Sequence, residues 1–295
     1  MGKLAAGSGG GNRIWGHWRN VTIDGHTKLL GIAGHPIAQV LTPTVLTGLF
    51  RHNGINALCV PFHVEPKDFS ALLAGVKHMH SLVGVISTVP HKQASAALAD
   101  VQLPRARQAR AANVLRREAD GRWTADMLDG VGFINALAAE GHSVKGKRAL
   151  VAGAGGVATA ICFALAAAGA AEVALFDVDP ARAEDLAARI RADGGNARVA
   201  ANDPAGYGLV VNATPLGMAA DDPMSMDPAR IDAGAIVADV VAKPPVTKFL
   251  QAAQARGCPI MPGARMTQHQ MAAMAEFYGF TGDFSPAALK AIGLA

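Results

Sequence analysis

Short apolar runs alternate along the chain with longer segments whose apolar residues recur at helical spacing. The runs predict strands at Leu29-Leu30-Gly31-Ile32-Ala33-Gly34 and at 57–60, a strand ending in a polar turn and then Lys92 within 82–92, then two strands at 111–117 and 122–126 joined by a turn containing Gly121. Further strands are predicted at 149–152, 172–176, 235–241 and 259–263, with a strand and loop over 209–218. Between them, Thr42 followed by Pro43 reads as an N-cap with Pro in the first turn of a helix reaching 52–54. Helices are also predicted from about 66 to 77, from Lys92, after Phe133, from Val157, over 181–192, over 266–279 and over 286–292. Strands and helices in this alternation predict an α/β fold with a mostly parallel sheet, in which ligands lie at the carboxyl ends of the strands. Thr88 and Lys92 fall at such an end, and the stretch from Met127 to Phe133 is a candidate domain boundary.

The run Arg148-Ala149-Leu150-Val151-Ala152-Gly153-Ala154-Gly155-Gly156-Val157-Ala158 joins a predicted strand to an Ala-rich helix, and Gly153, Gly155 and Ala158 fill the spacing G-x-G-x-x-G/A. The first small residue permits a sharp turn, the second lets backbone amides approach a pyrophosphate, and the third lets helix and strand pack closely. The helix would then face the phosphates with its free N–H groups. A second strand, Glu172-Val173-Ala174-Leu175-Phe176, ends on Asp177, about twenty residues on, where a carboxylate accepts from a ribose. The spacing alone also fits a tight turn in another α/β domain. Lys92 alone also reads as a solvated first-turn residue, and Asp129 before Gly130 as a cap or turn residue.

Composition narrows the classes. The chain has 295 residues, 51% apolar and 17% charged, enough for one large or two ordinary domains. A net charge of +4 with scattered Lys and Arg gives no nucleic-acid surface. Cys59, Cys162 and Cys258 are far apart and odd in number, so neither a disulfide framework nor a metal site is expected, which fits a cytoplasmic protein. No apolar run reaches membrane-spanning length without interruption. Residues 1–24 are read as a flexible extension.

In order along residues 30–279, the chain resembles the shikimate/quinate dehydrogenase family. The family's G-N-P-I-x-H-S-x-S-P loop is matched by Gly34-His35-Pro36-Ile37-Ala38-Gln39-Val40-Leu41-Thr42-Pro43, and N-V-T-x-P-x-K by Ile86-Ser87-Thr88-Val89-Pro90-His91-Lys92. A-x-N-T is matched by Ala111-Ala112-Asn113-Val114, G-D-N-T-D-G by Ala125-Asp126-Met127-Leu128-Asp129-Gly130, and N-A-T-x-x-G-M by Asn212 to Met218. The resemblance implies a two-domain α/β protein: a substrate domain of residues 25–128 with 266–295, and a Rossmann-like nicotinamide domain of residues 129–265. It implies that Lys92 and Asp129 carry the proton chemistry and that Thr42, Thr88, Asn113 and Gln270 bind substrate. It places the cofactor on Gly153, Ala154, Gly155, Gly156, Val157, Asp177, Asn212, Thr214, Gly217, Met218, Val240 and Gly263. Independent chemistry agrees, because hydride transfer from a carbinol carbon requires a base or relay at the hydroxyl oxygen.

Departures from the family cluster at the end that holds the substrate carboxylate. Its two serines are Val40 and Thr42, its asparagine is Ile86, and its tyrosine is Ala242. The expected reaction is reversible hydride transfer between the ring hydroxyl of a cyclic polyol acid or close analogue and a nicotinamide cofactor. Because a carboxylate buried without donors is penalised by several kcal/mol, the preferred substrate is expected to be a related hydroxylated ring other than shikimate itself, less polar or bulkier there. His35, Gln39 and Arg265 are the polar residues available for replacement contacts, against their ordinary reading as solvated loop residues. NADP-using members carry N-R-T where this chain has Asp177-Val178-Asp179, so NAD is expected over NADP unless Arg182 folds back to the site. A nucleotide-binding sensor or scaffold without turnover is the alternative, and a folate-type relative on the same plan is disfavoured by Asn212 to Met218. A homodimer is left open.

Overall fold

The computed structural model describes residues 23–38 and 40–294; the predicted extension, except 23 and 24, and Gln39 lie outside them. In chain order come β1 (Lys28–Gly34), α1 (Thr42–His52), β2 (Ala57–His63), a 3-10 turn (Pro66–Asp68) running into α2 (Phe69–Val76), and β3 (Leu82–Ser87). Next are α3 (Lys92–Leu98), the short β4 (Val101–Gln102), α4 (Pro104–Ala109), β5 (Val114–Arg117), β6 (Trp123–Asp126) and α5 (Asp129–Ala139). Then follow β7 (Arg148–Ala152), α6 (Gly156–Ala167), β8 (Glu172–Phe176), α7 (Pro180–Ala192), β9 (Ala197–Val199), β10 (Leu209–Asn212), a 3-10 turn (Pro228–Arg230) and β11 (Ile236–Asp239). The chain continues through α8 (Lys248–Ala255), β12 (Ile260–Met261), α9 (Gly263–His269), α10 (Met271–Tyr278) and α11 (Pro286–Ala291).

These strands form two six-stranded sheets, in the orders β2-β1-β3-β5-β6-β4 and β12-β11-β10-β7-β8-β9. Every pairing in the second is parallel. In the first, β1, β2 and β3 are parallel, while β5 runs antiparallel to both β3 and β6, as the predicted hairpin requires. Helices cover both faces of each sheet, which is why the strands read as nearly unbroken apolar runs. On the second sheet, Phe133, Leu137, Ile161, Leu186 and Ile190 fill one face, and Tyr207, Ile231, Phe249 and Leu250 lie in a separate cluster. On the first, Leu46, Phe50, Met274 and Leu289 form one cluster, and Phe69, Leu73, Ala96 and Ala106 another.

Several expectations are corrected. Thr42 is the first residue of α1 rather than its cap; Leu41 occupies the cap position and no side chain caps the helix. The predicted helix over 266–279 is two helices that meet at Gln270. Asp24, placed in the extension, accepts from Asn56 Nδ2 at 3.0 Å and from the His26 amide at 2.9 Å, so the turn before β1 is fastened to the fold.

The joint between the two halves is α5. Its glycines have a steric reason: a Cβ on Gly130 would stand 2.3 Å from the Ala160 carbonyl oxygen of α6, and one on Gly132 would stand 2.6 Å from that of Met266 in α9. Gly130→Ala is therefore expected to destabilise the protein by about 1–3 kcal/mol through overpacking, read from the urea midpoint. An unchanged midpoint would contradict this packing.

The turn between β3 and α3 is fastened by His91, which is buried, stacks on Phe69 with ring centroids 4.4 Å apart, and donates from its ring to the Val64 carbonyl at 2.9 Å. Burial pushes its pKa below the ordinary 6.5. The unfolded chain then binds a proton that the folded chain refuses, so this contribution is complete above 6.5 and is lost as pH falls below it. His269 shifts in the same direction for the same reason. Lowering the pH from about 7.5 to about 5.5 is expected to lower Tm, and His91→Gln to remove part of that drop. Equal drops in both proteins would refute the assignment.

Candidate active site

Lys92 opens α3 and Asp129 opens α5, so two helix starts converge where the strands of the first sheet end. Lys92 Nζ lies 2.6 Å from Asp129 Oδ2, with the side chains 17% and 3% exposed. The carboxylate thus sits at a helix N-terminus, where the backbone dipole favours negative charge. Asn113 Nδ2 donates to the other oxygen, Asp129 Oδ1, at 2.8 Å, and to Gln270 Oε1 at 3.1 Å. Asn113 Oδ1 accepts from the Leu128 amide at 2.8 Å. Asn113 therefore spends its whole amide on orienting Asp129, Gln270 and the turn before α5. Gln270 Nε2 has no partner among the described residues and is free to donate to a ligand.

Three further contacts support this pair. Asp126 is fully buried, accepts from the Met127 amide at 2.8 Å and from Arg105 Nε at 3.2 Å, and pairs with the Arg105 guanidinium through its second oxygen. Ser95 Oγ donates to Ser87 Oγ at 2.6 Å, tying α3 to β3. Thr88 is half-buried, and its amide donates to the Ala33 carbonyl at 3.0 Å beside the loop after β1. Arg105 is one of many scattered arginines; only the register of the folded elements selects it.

The turn from β7 to α6 has the features its spacing predicts. Gly153 holds φ at 110°, and a Cβ there would stand 2.8 Å from the Ala213 carbonyl oxygen. Gly155 is the cap position of α6, and no side chain bonds to the helix's first amides, which leaves them for an anion. Asp177 accepts from the Ala154 amide at 2.7 Å and from the Asp179 amide at 2.9 Å, and Asp179 caps α7 by accepting from Ala181 at 3.0 Å. Asp177 thus ties the glycine turn to the end of β8. Gly263 is also sterically required, since a Cβ would stand 2.5 Å from the Val240 carbonyl oxygen.

Asn212 and Thr214 are builders of their loop. Asn212 donates to Leu216 O at 2.9 Å and to Asp239 Oδ1 at 3.0 Å, and accepts from the Thr214 amide and hydroxyl at 3.1 and 2.7 Å. With the Asn212 side chain buried and fully used, any cofactor contact there comes from backbone or from the neighbouring Gly217 and the exposed Met218. Burial pushes the Asp239 carboxyl above the usual carboxylate range, against hydrogen bonds from the Val241 amide, Thr247 and Asn212. The glycine turn, its unfilled helix start and the acidic residues after β8 fit a nicotinamide dinucleotide.

At the altered end, Val40 is half-buried against the apolar core of the first sheet and Thr42 is half-buried at the start of α1. Ile86 is 3% exposed and belongs to that core, so it replaces a polar group by packing. Ala242 is exposed. His35 stacks on His63, their ring nitrogens 3.1 Å apart. Arg265 pairs at 2.5 Å with Glu140, the C-cap residue of α5, in a partly exposed ion pair. Arg182 is exposed on α7 yet reaches back, with Nη2 3.9 Å from where a Cβ of Gly155 would stand.

Comparisons with known proteins agree with this geometry. Residues 32–115 match the family model of the shikimate dehydrogenase substrate binding domain. The shikimate dehydrogenase (NADP(+)) of Acidiphilium cryptum is 38% identical over 277 residues, covering 92% of this chain and 97% of that protein. Shikimate 5-dehydrogenase from Listeria monocytogenes, solved with shikimate and NAD, superposes with a TM-score of 0.81 at 28% identity, over 92% of this chain and 96% of that one. The 5-ketofructose reductase of Gluconobacter superposes with a TM-score of 0.79 at 29% identity, over 90% and 97%. With its active-site pair, glycine turn and full-length likeness together, the chain belongs to the shikimate dehydrogenase family of nicotinamide-dependent oxidoreductases.

Proposed function

We propose that this protein transfers a hydride reversibly between the carbinol carbon of a polyhydroxylated substrate and NAD, with Lys92 and Asp129 handling the hydroxyl proton. The observation that supports it most is the 2.6 Å contact of Lys92 with Asp129, a carboxylate almost fully withdrawn from water. A bound nicotinamide dinucleotide supplies the hydride acceptor. In oxidation, Lys92 as the free amine accepts the substrate hydroxyl proton and becomes the ammonium; in reduction the ammonium returns that proton to the carbonyl oxygen. Asp129 fixes the amine at that oxygen, and Asn113 fixes Asp129. Gln270 donates to a second hydroxyl and sets which carbon faces the cofactor. In this reading residues 25–128 with 266–295 hold substrate and 129–265 hold the dinucleotide.

The preference for NAD rests on the turn after β8. Val178, 90% exposed, stands where NADP-using relatives place arginine, and Asp177 and Asp179 flank it. Two carboxylates repel a 2′-phosphate and accept from a ribose diol. The relatives named for NADP(+) weigh on the other side, as does Arg182 at the glycine turn.

For substrate, we propose a small polyol or its ketone with no carboxylate at the end facing Val40, Thr42 and Ala242. Arg265 pairs with Glu140, and a valine and an alanine replace donors. The likeness to a reductase named for a ketosugar supports a neutral ligand on this architecture.

Turnover should be followed at about 340 nm with NAD and NADP against shikimate, quinate, neutral cyclitols and ketosugars. The expected result is NAD-linked turnover of a neutral member, lost by at least about 10²-fold in Lys92→Ala with NAD affinity retained. Shikimate efficiency near ~10⁵ M⁻¹s⁻¹ would overturn the substrate assignment, and a higher kcat/KM with NADP would overturn the cofactor assignment. NAD binding with no turnover of any panel member would favour a sensor.

A further inference from the structure

Among the described residues, Arg110 is the only one other than glycine at positive φ, with φ 50° and ψ 33° at the C-cap of α4. Glycine or asparagine suits that position, because a larger side chain crowds the following carbonyl. A helix end alone thus has no use for arginine here, and the side chain's destination matters more.

That destination is a cavity of about 320 Å³ beside the glycine turn, lined by Arg110, Gly155, Gly156, Arg182, Asp185 and Arg189. The loop carrying Arg110 lies against the turn, since a Cβ on Gly156 would stand 3.2 Å from Ala111 Cβ. Arg110 Nη1 reaches the two Asp185 oxygens only at 3.4 and 3.5 Å, and both side chains are about half exposed or more, at 65% and 49%. Such a contact is weak. Asp185 is better satisfied by Arg189, at 2.9 Å, and Arg189 also donates to the Gln108 carbonyl at 2.6 Å. Three guanidiniums and one carboxylate leave the cavity cationic, facing the uncapped first amides of α6.

We propose that Arg110 is a ligand of the cofactor's phosphate, reaching from the substrate-binding half to the diphosphate that the glycine turn holds. Asp185 keeps its guanidinium within reach until the dinucleotide arrives, and Arg182 faces it from α7. The inference rests on the nicotinamide reading above and adds a contact from the opposite half of the chain to it. It also ties dinucleotide binding to the approach of α4 toward α6 and α7.

The test is Arg110→Gly, which keeps the backbone conformation and relieves it, with Asp185→Asn alongside. Dissociation constants of NAD, NADP and ADP-ribose are measured by calorimetry, and Tm is measured without ligand. The expected result is that Arg110→Gly weakens NAD, NADP and ADP-ribose alike by about tenfold or more with Tm not lowered, while Asp185→Asn keeps or tightens binding. A loss confined to NADP would place the contact on the 2′-phosphate and overturn the diphosphate assignment. Unchanged dissociation constants in Arg110→Gly, or equal drops in Tm for both variants with binding intact, would overturn it and leave only an ion pair. If the unmodified protein bound none of the three, the nicotinamide reading would fail and this inference with it.

Discussion

A carboxylate removed from water must be hydrogen-bonded or paired, and the active site is arranged around that requirement at Asp129. Withdrawing one partner from a buried pair costs about 3–5 kcal/mol, so the pair confines its own geometry. Lys92 satisfies one oxygen and Asn113 the other, and Asn113 in turn holds Gln270 and the amide of Leu128. Four segments distant in sequence are thereby locked to one point: the starts of α3 and α5, the strand entering β5, and the junction of α9 and α10. In the proposed reaction the amine of Lys92 and the amide of Gln270 are the groups left to meet a substrate.

The scaffold serves that point through close helix packing. Gly130 and Gly132 let α5 lie directly on α6 and α9, so the helix that begins with Asp129 also contacts the helix that follows the glycine turn. One rigid element therefore sets the distance between the Lys92–Asp129 pair and the glycine turn. Asp126, buried with its Arg105 partner, holds the turn that feeds α5 and adds a second restraint upstream.

Much of this was legible in the chain before folding. The glycine turn, Asp177 at the end of the second strand, and Lys92 after a strand and a Pro are local patterns with local physical causes, and each stands where its spacing placed it. Contacts fixed by tertiary register were not legible. The break at Gln270 interrupts a segment, 266–279, whose sequence reads as one continuous helix; its side chain is held by Asn113, 157 residues away. The side-chain amide of Asn212 is consumed inside its own loop and on Asp239, a pairing no local pattern announces. Ile86 was read as opening a less polar pocket, and it fills the core instead. Arg105 and Arg110 carried no signal at all, because an arginine's partner depends on which elements the fold brings beside it.

The central claim is that Lys92 and Asp129 act as a unit on one substrate oxygen. A double-mutant cycle in kcat/KM on Lys92→Ala, Asp129→Ala and the double variant, with dinucleotide affinity measured in each, tests it most directly. The account requires strong non-additivity: either single variant should lose nearly everything, and the double variant should be about as slow as the worse single one. Losses that multiply independently would show two separate contributions and contradict the account.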